Sequence, residues 1–410
     1  MKNVILIGDG MADNPIDELG GRTPLGFAHT PHLDSMASMG KLGLFATVPP
    51  GYAPGSDVAN LSVLGYDPRK YYTGRAPLEA ASIGVKLEEG DVAFRCNLVT
   101  LVEKDGAVVM DDYSAGHIST EEATEIIEAL AKVLATQGVR LYAGTGYRHL
   151  LVWKNGPKGE LKTTPPHDIS DRSIEGFLPA GDGAEKLLEL IELSQEVLLG
   201  LDVNKDRVAA GKKPASSIWL WGQGTAPLMP TIKQRFGVDG AIISAVDLMK
   251  GIGIYAGLEV LNVPGATGYI DTNYEGKVEF ALSVLERKDF VVVHVEAPDE
   301  AGHQGNLEHK VQAIEDFDMK IVGPVLEGIE KYREYRVLAL PDHPTPLALK
   351  THTSDPVPFV LCTEKMLRSG KGSAQFSEKE AAESGCLEED CKVFMEEFFG
   401  RPEQVCDLKE

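Results

Sequence analysis

The stretch Val4-Ile5-Leu6-Ile7-Gly8-Asp9-Gly10 decides the fold class of this sequence. Four consecutive apolar residues that end at a glycine are typical of a strand buried on both faces, as in a parallel sheet covered by helices. Three later segments, 240–244, 290–295 and 336–340, have the same form, and 358–361 is a shorter candidate. The sequence therefore predicts a sheet built from several such strands.

Helical patterns separate these strands, for example at 277–287 and 307–331. Strands that alternate with helices are typical of βαβ units, in which helices cover both faces of a mostly parallel sheet. We therefore predict an α/β fold for the two ends of the chain.

The middle of the chain has a different pattern. Residues 86–112 alternate between apolar and polar around Asp105-Gly106, which predicts an antiparallel hairpin. Further helices and strands are predicted at 120–137, 148–154, 184–199 and 217–221. A chain of 410 residues is long enough for two or three domains. We predict one discontinuous domain, 1–80 with 235–410, interrupted by an inserted α+β domain at 81–234.

The composition limits the partners of the chain. Its formal net charge is −22, which disfavours nucleic acid and anionic membranes and, taken alone, also disfavours a phosphorylated substrate. The most apolar long stretch, 240–263, is interrupted by Asp247 and Lys250, and no apolar leader is evident at the start. Five scattered cysteines form no CxxC pair. We expect a cytoplasmic protein that binds neither nucleic acid nor membrane.

Residues of the kind that bind metals follow three of the predicted strands. They are Asp9 after the first, Asp299 and His303 after the strand at 290–295, and Asp342 and His343 after the strand at 336–340, with His352 nine residues later. Each alone is more often a turn or solvated residue. Together they would meet at the carboxyl edge of one sheet, where open α/β folds bind ligands. Imidazole with carboxylate suits zinc or manganese, and two sites are possible.

Ser56 lies in Pro54-Gly55-Ser56-Asp57, which opens a helical stretch at 58–64. The usual role of a serine there is to cap the helix. The same position also suits a phosphate, since the backbone N–H groups of a helix N-terminus favour anions. A metal nearby could activate the hydroxyl as a nucleophile.

The ordered motifs of the chain resemble those of the alkaline phosphatase superfamily. Within it, the chain is most similar to the cofactor-independent phosphoglycerate mutases of the shorter type first recognised in archaea. The resemblance covers nearly the whole chain. It rests on 8–11, 31–34, 54–56, 112–119, 222–224, 245–253, 299–303 and 341–343. It implies an alkaline-phosphatase-like fold.

The resemblance implies two divalent metal ions, Mn²⁺, Co²⁺, Zn²⁺ or Mg²⁺. Asp299, His303 and His352 would bind one ion. The other would be bound by Asp9, Ser56, Asp342 and His343. Ser56 would accept the phosphoryl group of 3-phosphoglycerate and return it to the 2-hydroxyl of glycerate.

The resemblance also implies that the inserted domain contacts a small phosphorylated substrate and closes over it. The implied contacts are His117, Arg148, His167, Asp168 and Arg207, with Lys250 from the sheet domain. Any one of these could equally be an ordinary surface charge. At position 117 many similar archaeal proteins carry arginine.

Three other functions remain open at this point. A sister group with a similar Ala-Gly-His-Ile-Ser motif, present here at 115–119, is thought to phosphorylate homoserine on the same scaffold. A simple phosphatase is disfavoured because hydrolysis does not need the large insertion. A non-enzymatic metal-binding protein is disfavoured because the nucleophile and the metal ligands occur together.

Overall fold

A computed structural model describes residues 1–157, 159–369 and 372–400. The chain forms two compact units. Unit 1 contains Met1–Tyr72 and the described residues from Leu228 onward, and unit 2 contains Thr73–Pro227. Each boundary between the units falls several residues before the boundary expected from the sequence.

The first segment of unit 1 contains two strands and four helices. The strands are β1 (Lys2–Gly8) and β2 (Lys41–Phe45). The helices are α1 (Pro24–Phe27), α2 (Pro31–Met39), α3 (Ser56–Val63) and α4 (Pro68–Tyr71), and a 3₁₀ turn covers Asp17–Leu19.

The described residues of unit 2, 73–157 and 159–227, form seven strands and four helices. The strands are β3 (Val92–Lys104), β4 (Ala107–Asp112), β5 (Val139–Tyr142), β6 (Arg148–Trp153), β7 (Leu161–Lys162), β8 (Ala180–Gly181) and β9 (Ser217–Gly224). The helices are α5 (Ala76–Ser82), α6 (Thr120–Leu134), α7 (Ala184–Gly200) and α8 (Asp202–Ala209). Short 3₁₀ turns cover Ala135–Gln137, Pro166–Ile169 and Glu175–Phe177.

The second segment of unit 1 contains the remaining strands and helices. The strands are β10 (Gly240–Ile243), β11 (Glu259–Leu261), β12 (Phe290–Val295), β13 (Tyr335–Leu340), β14 (Val357–Thr363) and β15 (Leu387–Glu388). The helices are α9 (Ile232–Phe236), α10 (Asp247–Tyr255), α11 (Tyr274–Val284), α12 (Ala297–Gln304), α13 (Leu307–Phe317), α14 (Gly323–Ile329), α15 (Glu364–Leu367), α16 (Glu378–Glu383) and α17 (Cys391–Phe399).

Unit 1 is built on an eight-stranded sheet with the order β11-β10-β12-β1-β13-β14-β2-β15. Strand β1 pairs in parallel with β12 on one side and with β13 on the other. Its residues Val4–Ile7 are fully buried, as expected for a strand covered on both faces. The predicted α/β fold with a mostly parallel sheet is therefore confirmed. Strand β14 is an exception, since it runs antiparallel to both β13 and β2.

The helix predicted at 307–331 is interrupted. Helix α13 ends at Phe317, a π-helical turn covers Asp318–Val322, and α14 follows with Pro324 in its first turn. Proline has no N–H to donate to the preceding turn, so a regular helix cannot run through this point. This turn also stabilises the start of α2. The buried Asp318 carboxylate accepts hydrogen bonds from the backbone N–H groups of His32 and Leu33.

Unit 2 is an antiparallel sheet with helices. The long strand β3 pairs with β4, β6 and β9, and β5 pairs with β6. The hairpin between β3 and β4 turns at Asp105 and Gly106, where φ is 52° and 78°. Both values are in the left-handed region that two-residue hairpin turns require. Helix α6 begins with a capping box between Ser119 and Glu122.

Within the described residues, no helix is long and apolar enough to cross a membrane. Cys96, Cys362, Cys386 and Cys391 are free thiols. Cys406 lies outside the described residues.

His149 is a buried histidine in unit 2. It lies on β6 with 4 % of its surface exposed, and its Nδ1 accepts a hydrogen bond from the backbone N–H of Gly144. Burial lowers the pKa of His149 to about 3, so the imidazole is neutral in the folded protein at neutral pH.

We predict that His149→Gln flattens the pH dependence of unfolding. Between the unfolded pKa near 6.5 and the folded pKa near 3, only the unfolded chain binds this proton, so its contribution to stability falls as the pH falls. The free energy of unfolding of the wild type should therefore drop relative to the variant by about 1 kcal/mol per pH unit in that window.

Tryptophan fluorescence is a suitable measurement, because Trp153, Trp219 and Trp221 are the three tryptophans of the chain and all lie in unit 2. Urea unfolding would be followed at several pH values between 4 and 7. A constant difference in free energy between the two proteins across this range would contradict the prediction.

Candidate metal centre

Three neighbouring strands of unit 1 end at one edge of the sheet. Asp9 directly follows β1, and Asp342 and His343 follow β13. Helix α12, which follows β12, carries Asp299 and His303. Because β12, β1 and β13 are adjacent and parallel, their carboxyl ends bring these side chains together, as predicted.

The side chains form two groups of a geometry that could hold a metal ion. Asp9, Asp342 and His343 form one group, and Asp299, His343 and His352 form the other, with the ligand atoms of each group within 4.8 Å of one another. His343 belongs to both. Its Nε2 lies 3.6 Å from Asp9 Oδ1 and 3.5 Å from Asp342 Oδ2.

His303 adjoins the second group. Its Nε2 lies 3.0 Å from His352 Nε2 and 3.2 Å from Asp299 Oδ2, while its Nδ1 contacts the carbonyl oxygen of Lys350. Two imidazole nitrogens and a carboxylate oxygen thus face one another. All six metal-type residues that the sequence analysis selected lie in this one cluster.

The arrangement fits divalent cations. Asp9 Oδ1 is buried and has no hydrogen-bond partner among the described residues, although an unpaired buried carboxylate oxygen is costly. Imidazole nitrogens and carboxylate oxygens are the donors that zinc and related ions accept. A cation between these atoms would satisfy Asp9 Oδ1.

The carboxyl groups perturb one another strongly. Burial, and then the charges of Asp342 and Asp299, raises the pKa of Asp9 well above its usual value. Burial opposes ionisation of Asp299 too, but hydrogen bonds from His303 and His352 hold the pKa of Asp299 well below its usual value. The contact with Asp299 raises the pKa of His303 to about 9. The site thus gathers buried carboxylates, whose negative charge the neighbouring imidazoles partly offset.

Ser56 is the first residue of α3, and its hydroxyl does not cap the helix. Gly55 occupies the cap position, where there is no side-chain capping bond. Ser56 Oγ instead lies 3.0 Å from His343 Nε2. Asn60, one turn later, donates from Nδ2 to the carbonyl oxygen of Ser56 and to Asp342 Oδ2. The structure therefore links the candidate nucleophile directly to the metal-type cluster.

Buried contacts behind the cluster hold its loops in place. Lys310 Nζ donates to Asp13 Oδ2 at 2.7 Å and to the carbonyl oxygen of Thr345 at 2.7 Å, and the side chains of Lys310 and Asp13 are each exposed by no more than 1 %. Thr345 in turn donates to Asp299 Oδ1. Gly10 (φ +63°) leaves no room for a side chain, since a Cβ there would lie 2.7 Å from the Asp299 Cα.

Unit 2 gathers four of the predicted substrate contacts around linked aromatic rings. His117 and Arg148 both adjoin Tyr147. His167 adjoins Trp221 at 5.3 Å between centroids and lies 3.6 Å from Asp168. Tyr113 joins the two halves through contacts with Tyr147 and His167. We call this surface the aromatic-cationic wall, and it comprises Arg95, Tyr113, His117, Tyr147, Arg148, His167, Asp168 and Trp221.

Arg207 has a different environment from the other predicted contacts. It is 3 % exposed and donates to the carbonyl oxygens of Ala115 and Lys213 and to Glu122. The loop that it holds has positive φ at Ala115, Gly116 and His117. Such strain in residues other than glycine persists only where the surroundings impose it. Arg207 therefore holds the loop that presents the exposed His117, whereas the sequence suggested that Arg207 contacts substrate directly.

Lys250, the sixth predicted contact, lies on α10 in unit 1. Its Nζ is 3.6 Å from Asp247 Oδ1, and its side chain is partly buried. Helix α10 packs against α3, the helix that begins with Ser56.

The sequence analysis did not select Arg95 and His294, two buried polar residues that contact the predicted sites. Arg95 lies in the buried strand β3 with its guanidinium 4.2 Å from the Trp221 ring and its Nε 2.9 Å from Glu79. Burial lowers the pKa of Arg95 to about 10, although Glu79 opposes the shift. His294 lies in β12 and contacts Asp9 Oδ2 at 3.0 Å. In both cases the available signal was a charged or polar residue inside an apolar run.

Comparison with known proteins identifies the family. Residues 37–204 match the sequence model described as 2,3-bisphosphoglycerate-independent phosphoglycerate mutase. The chain is 58% identical to a protein of Geobacter sulfurreducens named "Probable 2,3-bisphosphoglycerate-independent phosphoglycerate mutase", over 98% of this chain and all of the relative. The chain belongs to the family of 2,3-bisphosphoglycerate-independent phosphoglycerate mutases. The resemblance found in the sequence is thereby confirmed.

A second curated relative and two solved structures are also similar to this chain over most of its length. A mutase of Methanosarcina acetivorans is 58% identical over 88% of this chain and 90% of its own length. A solved structure titled as the cofactor-independent phosphoglycerate mutase of Thermoplasma acidophilum matches with a TM-score of 0.66 and 27% identity, over 98% of this chain and 99% of that one. A Pyrococcus horikoshii protein, PH0037, matches with a TM-score of 0.79 and 29% identity over 99% of both chains.

We predict that Lys310→Met lowers the free energy of unfolding of unit 1 by about 3–5 kcal/mol, because it leaves the Asp13 carboxylate buried without its cation. Hydrogen exchange of unit 1 peptides during urea titration would measure the loss. Lys379→Met is the matched control, since Lys379 is exposed and its 3.9 Å contact with Glu383 is weak. Equal stability of the two variants would contradict the prediction.

Proposed function

We propose that this chain interconverts 3-phosphoglycerate and 2-phosphoglycerate through a phosphoserine at Ser56. The observation that supports this most directly is the position of the Ser56 hydroxyl, which is not used for capping and lies beside His343 within the metal-type cluster. The names of the relatives point to the same reaction. They also favour phosphoglycerate over homoserine as the substrate.

The cluster would hold two divalent cations, Mn²⁺, Co²⁺, Zn²⁺ or Mg²⁺. Asp9, Asp342 and His343, with Ser56, would bind one, and Asp299, His303 and His352 would bind the other. His343 adjoins both groups. When bound, such cations lower the pKa of a hydroxyl and neutralise charge on phosphoryl oxygens.

The reaction would occur in two balanced halves. In the first, Ser56 Oγ forms a bond to phosphorus while the bond from phosphorus to the 3-oxygen of the substrate breaks, and the proton lost by Ser56 is balanced by the proton gained by glycerate. In the second, the 2-oxygen of glycerate forms a bond to phosphorus while the bond from phosphorus to Ser56 Oγ breaks, and the proton lost by the 2-hydroxyl is balanced by the proton that Ser56 regains. Asn60 holds the backbone of Ser56 to the Asp342 carboxylate throughout.

The aromatic-cationic wall of unit 2 would bind the organic part of the substrate. Arg148 is exposed, and its guanidinium suits a carboxylate. His117, His167 and Asp168 are also exposed on this wall and would orient glycerate while it turns. Arg207 would contribute to substrate binding indirectly, by holding the loop that carries His117. Lys250 would contact the substrate from unit 1. By our proposal the inserted unit keeps glycerate in the site and excludes water.

We also propose that the enzyme works in the cytoplasm. Its excess of acidic residues is consistent with this compartment, and the four described cysteines, which are free and mostly buried, are typical of an intracellular enzyme.

We predict that Ser56→Ala abolishes the exchange of 2- and 3-phosphoglycerate, measured without added bisphosphoglycerate in metal-supplemented protein. Chelation with EDTA should remove the activity of the wild type, and mass spectrometry of quenched wild type should find phosphate on Ser56. A parallel reaction with homoserine and a phosphate donor tests the alternative substrate. Phosphohomoserine without any phosphoglycerate exchange would refute the proposal.

We predict that Arg148→Met raises the KM for phosphoglycerate by about 10- to 100-fold, because a charged hydrogen bond to the substrate is lost. Arg140→Met is the matched control, since Arg140 is an exposed arginine on the neighbouring strand β5. It adjoins Asp91. Equal KM values for the two variants would show that Arg148 does not contact the substrate.

A further inference from the structure

A chain of hydrogen bonds leads from the end of β10 to the metal-type cluster. Ser244 Oγ lies 3.2 Å from His294 Nδ1, and His294 Nε2 lies 3.0 Å from Asp9 Oδ2. None of these three residues is exposed by more than 3 %. These hydrogen bonds run across three adjacent strands, β10, β12 and β1.

The donor in each of these hydrogen bonds can be assigned by starting from Ser244. The backbone N–H of Val246 donates to Ser244 Oγ, so the serine hydroxyl is free to donate its proton to His294 Nδ1. A neutral imidazole that accepts at Nδ1 carries its proton on Nε2. His294 therefore donates from Nε2 to Asp9 Oδ2.

The position of His294 is otherwise suited to an apolar residue. Its neighbours in β12 are Val293 and Val295, and the strand is fully buried. A polar side chain in such a strand is costly unless every polar atom finds a partner. Both ring nitrogens of His294 have one. The histidine is thus explained by the carboxylate that it contacts and not by the packing of the sheet.

We propose that His294 is a positioning residue that fixes the Asp9 carboxylate so that Oδ1 faces the cation site formed with Asp342 and His343. The inference rests on the proposed metal-binding function of the cluster. With Oδ2 occupied by His294, the other oxygen of Asp9 is the buried oxygen left without a partner among the described residues. Partners of this kind typically orient ligands and raise metal affinity.

The effect should be confined to one of the two sites. His294 contacts Asp9, whereas the group of Asp299, His343 and His352 is supported by Thr345, which donates to Asp299. Loss of the His294 side chain should therefore weaken one cation site and leave the other unchanged. A general loss of folding would weaken both.

The test is calorimetric titration of Mn²⁺ into chelator-treated full-length protein without substrate. We expect wild type to bind two ions, and His294→Leu to bind one of them about 10- to 100-fold more weakly. His294→Gln retains a side-chain N–H and should recover part of the affinity. Ser244→Ala removes the donor to Nδ1 and should weaken the same site to a smaller extent.

His149→Gln is the matched control, because His149 is an equally buried strand histidine that belongs to unit 2. It should bind both ions as the wild type does. Unchanged binding in His294→Leu, or an equal loss at both sites, would overturn the role of His294. Failure of the wild type itself to bind two ions would instead contradict the proposed metal centre, so the two failures are distinguishable.

Discussion

The constraint on which unit 1 depends is the crowding of three carboxylates in a buried space. Asp9, Asp299 and Asp342 lie at the ends of adjacent parts of the sheet, and none is exposed by more than 6 %. Three anions so placed repel one another and lose their hydration, which is why burial and mutual charge raise the pKa of Asp9. Such a cluster is stable only if cations, imidazoles and fixed dipoles surround it.

Neighbouring side chains stabilise these carboxylates and the loops that carry them. Lys310 holds the loops after β1 and β13 from behind, through the carbonyl oxygen of Thr345 and the carboxylate of Asp13. Asn60 donates to Asp342, and His294 contacts Asp9. These contacts therefore hold together three carboxylates whose mutual repulsion the proposed cations would offset.

The sequence predicted this part of the molecule well because a parallel sheet relates order in the chain to position in space. Once β1, β12 and β13 are recognised as buried strands, Asp9, Asp299 and Asp342 must meet at one edge. Ser56 and His352 do not directly follow a strand end, so the sheet alone does not place them. Ser56 was selected because it opens a helical stretch, and His352 because it lies nine residues after His343. The antiparallel β14 could not be foreseen, since a short apolar run does not show its direction.

The role of Arg207 could not be predicted because it depends on backbone geometry. A sequence shows an arginine on a helix, and surface exposure is the common outcome. Here the guanidinium is enclosed by the carbonyl oxygens of Ala115 and Lys213 and by Glu122. The partners are set by the left-handed turn at 115–117, and a composition rule cannot detect such a turn when only one of its residues is glycine.

The net charge of the whole chain, −22, does not describe the charge at the metal-type cluster. Three carboxylates in the cluster carry three negative charges, and the two divalent cations that we propose would carry four positive ones. The sign of the field at Ser56 would then be set by the ions and not by the chain. On unit 2, Arg148 and Arg95 add positive charge to the wall. By this proposal an acidic protein can bind an anionic substrate, because the surplus carboxylates that lower its net charge include those that would bind the two cations.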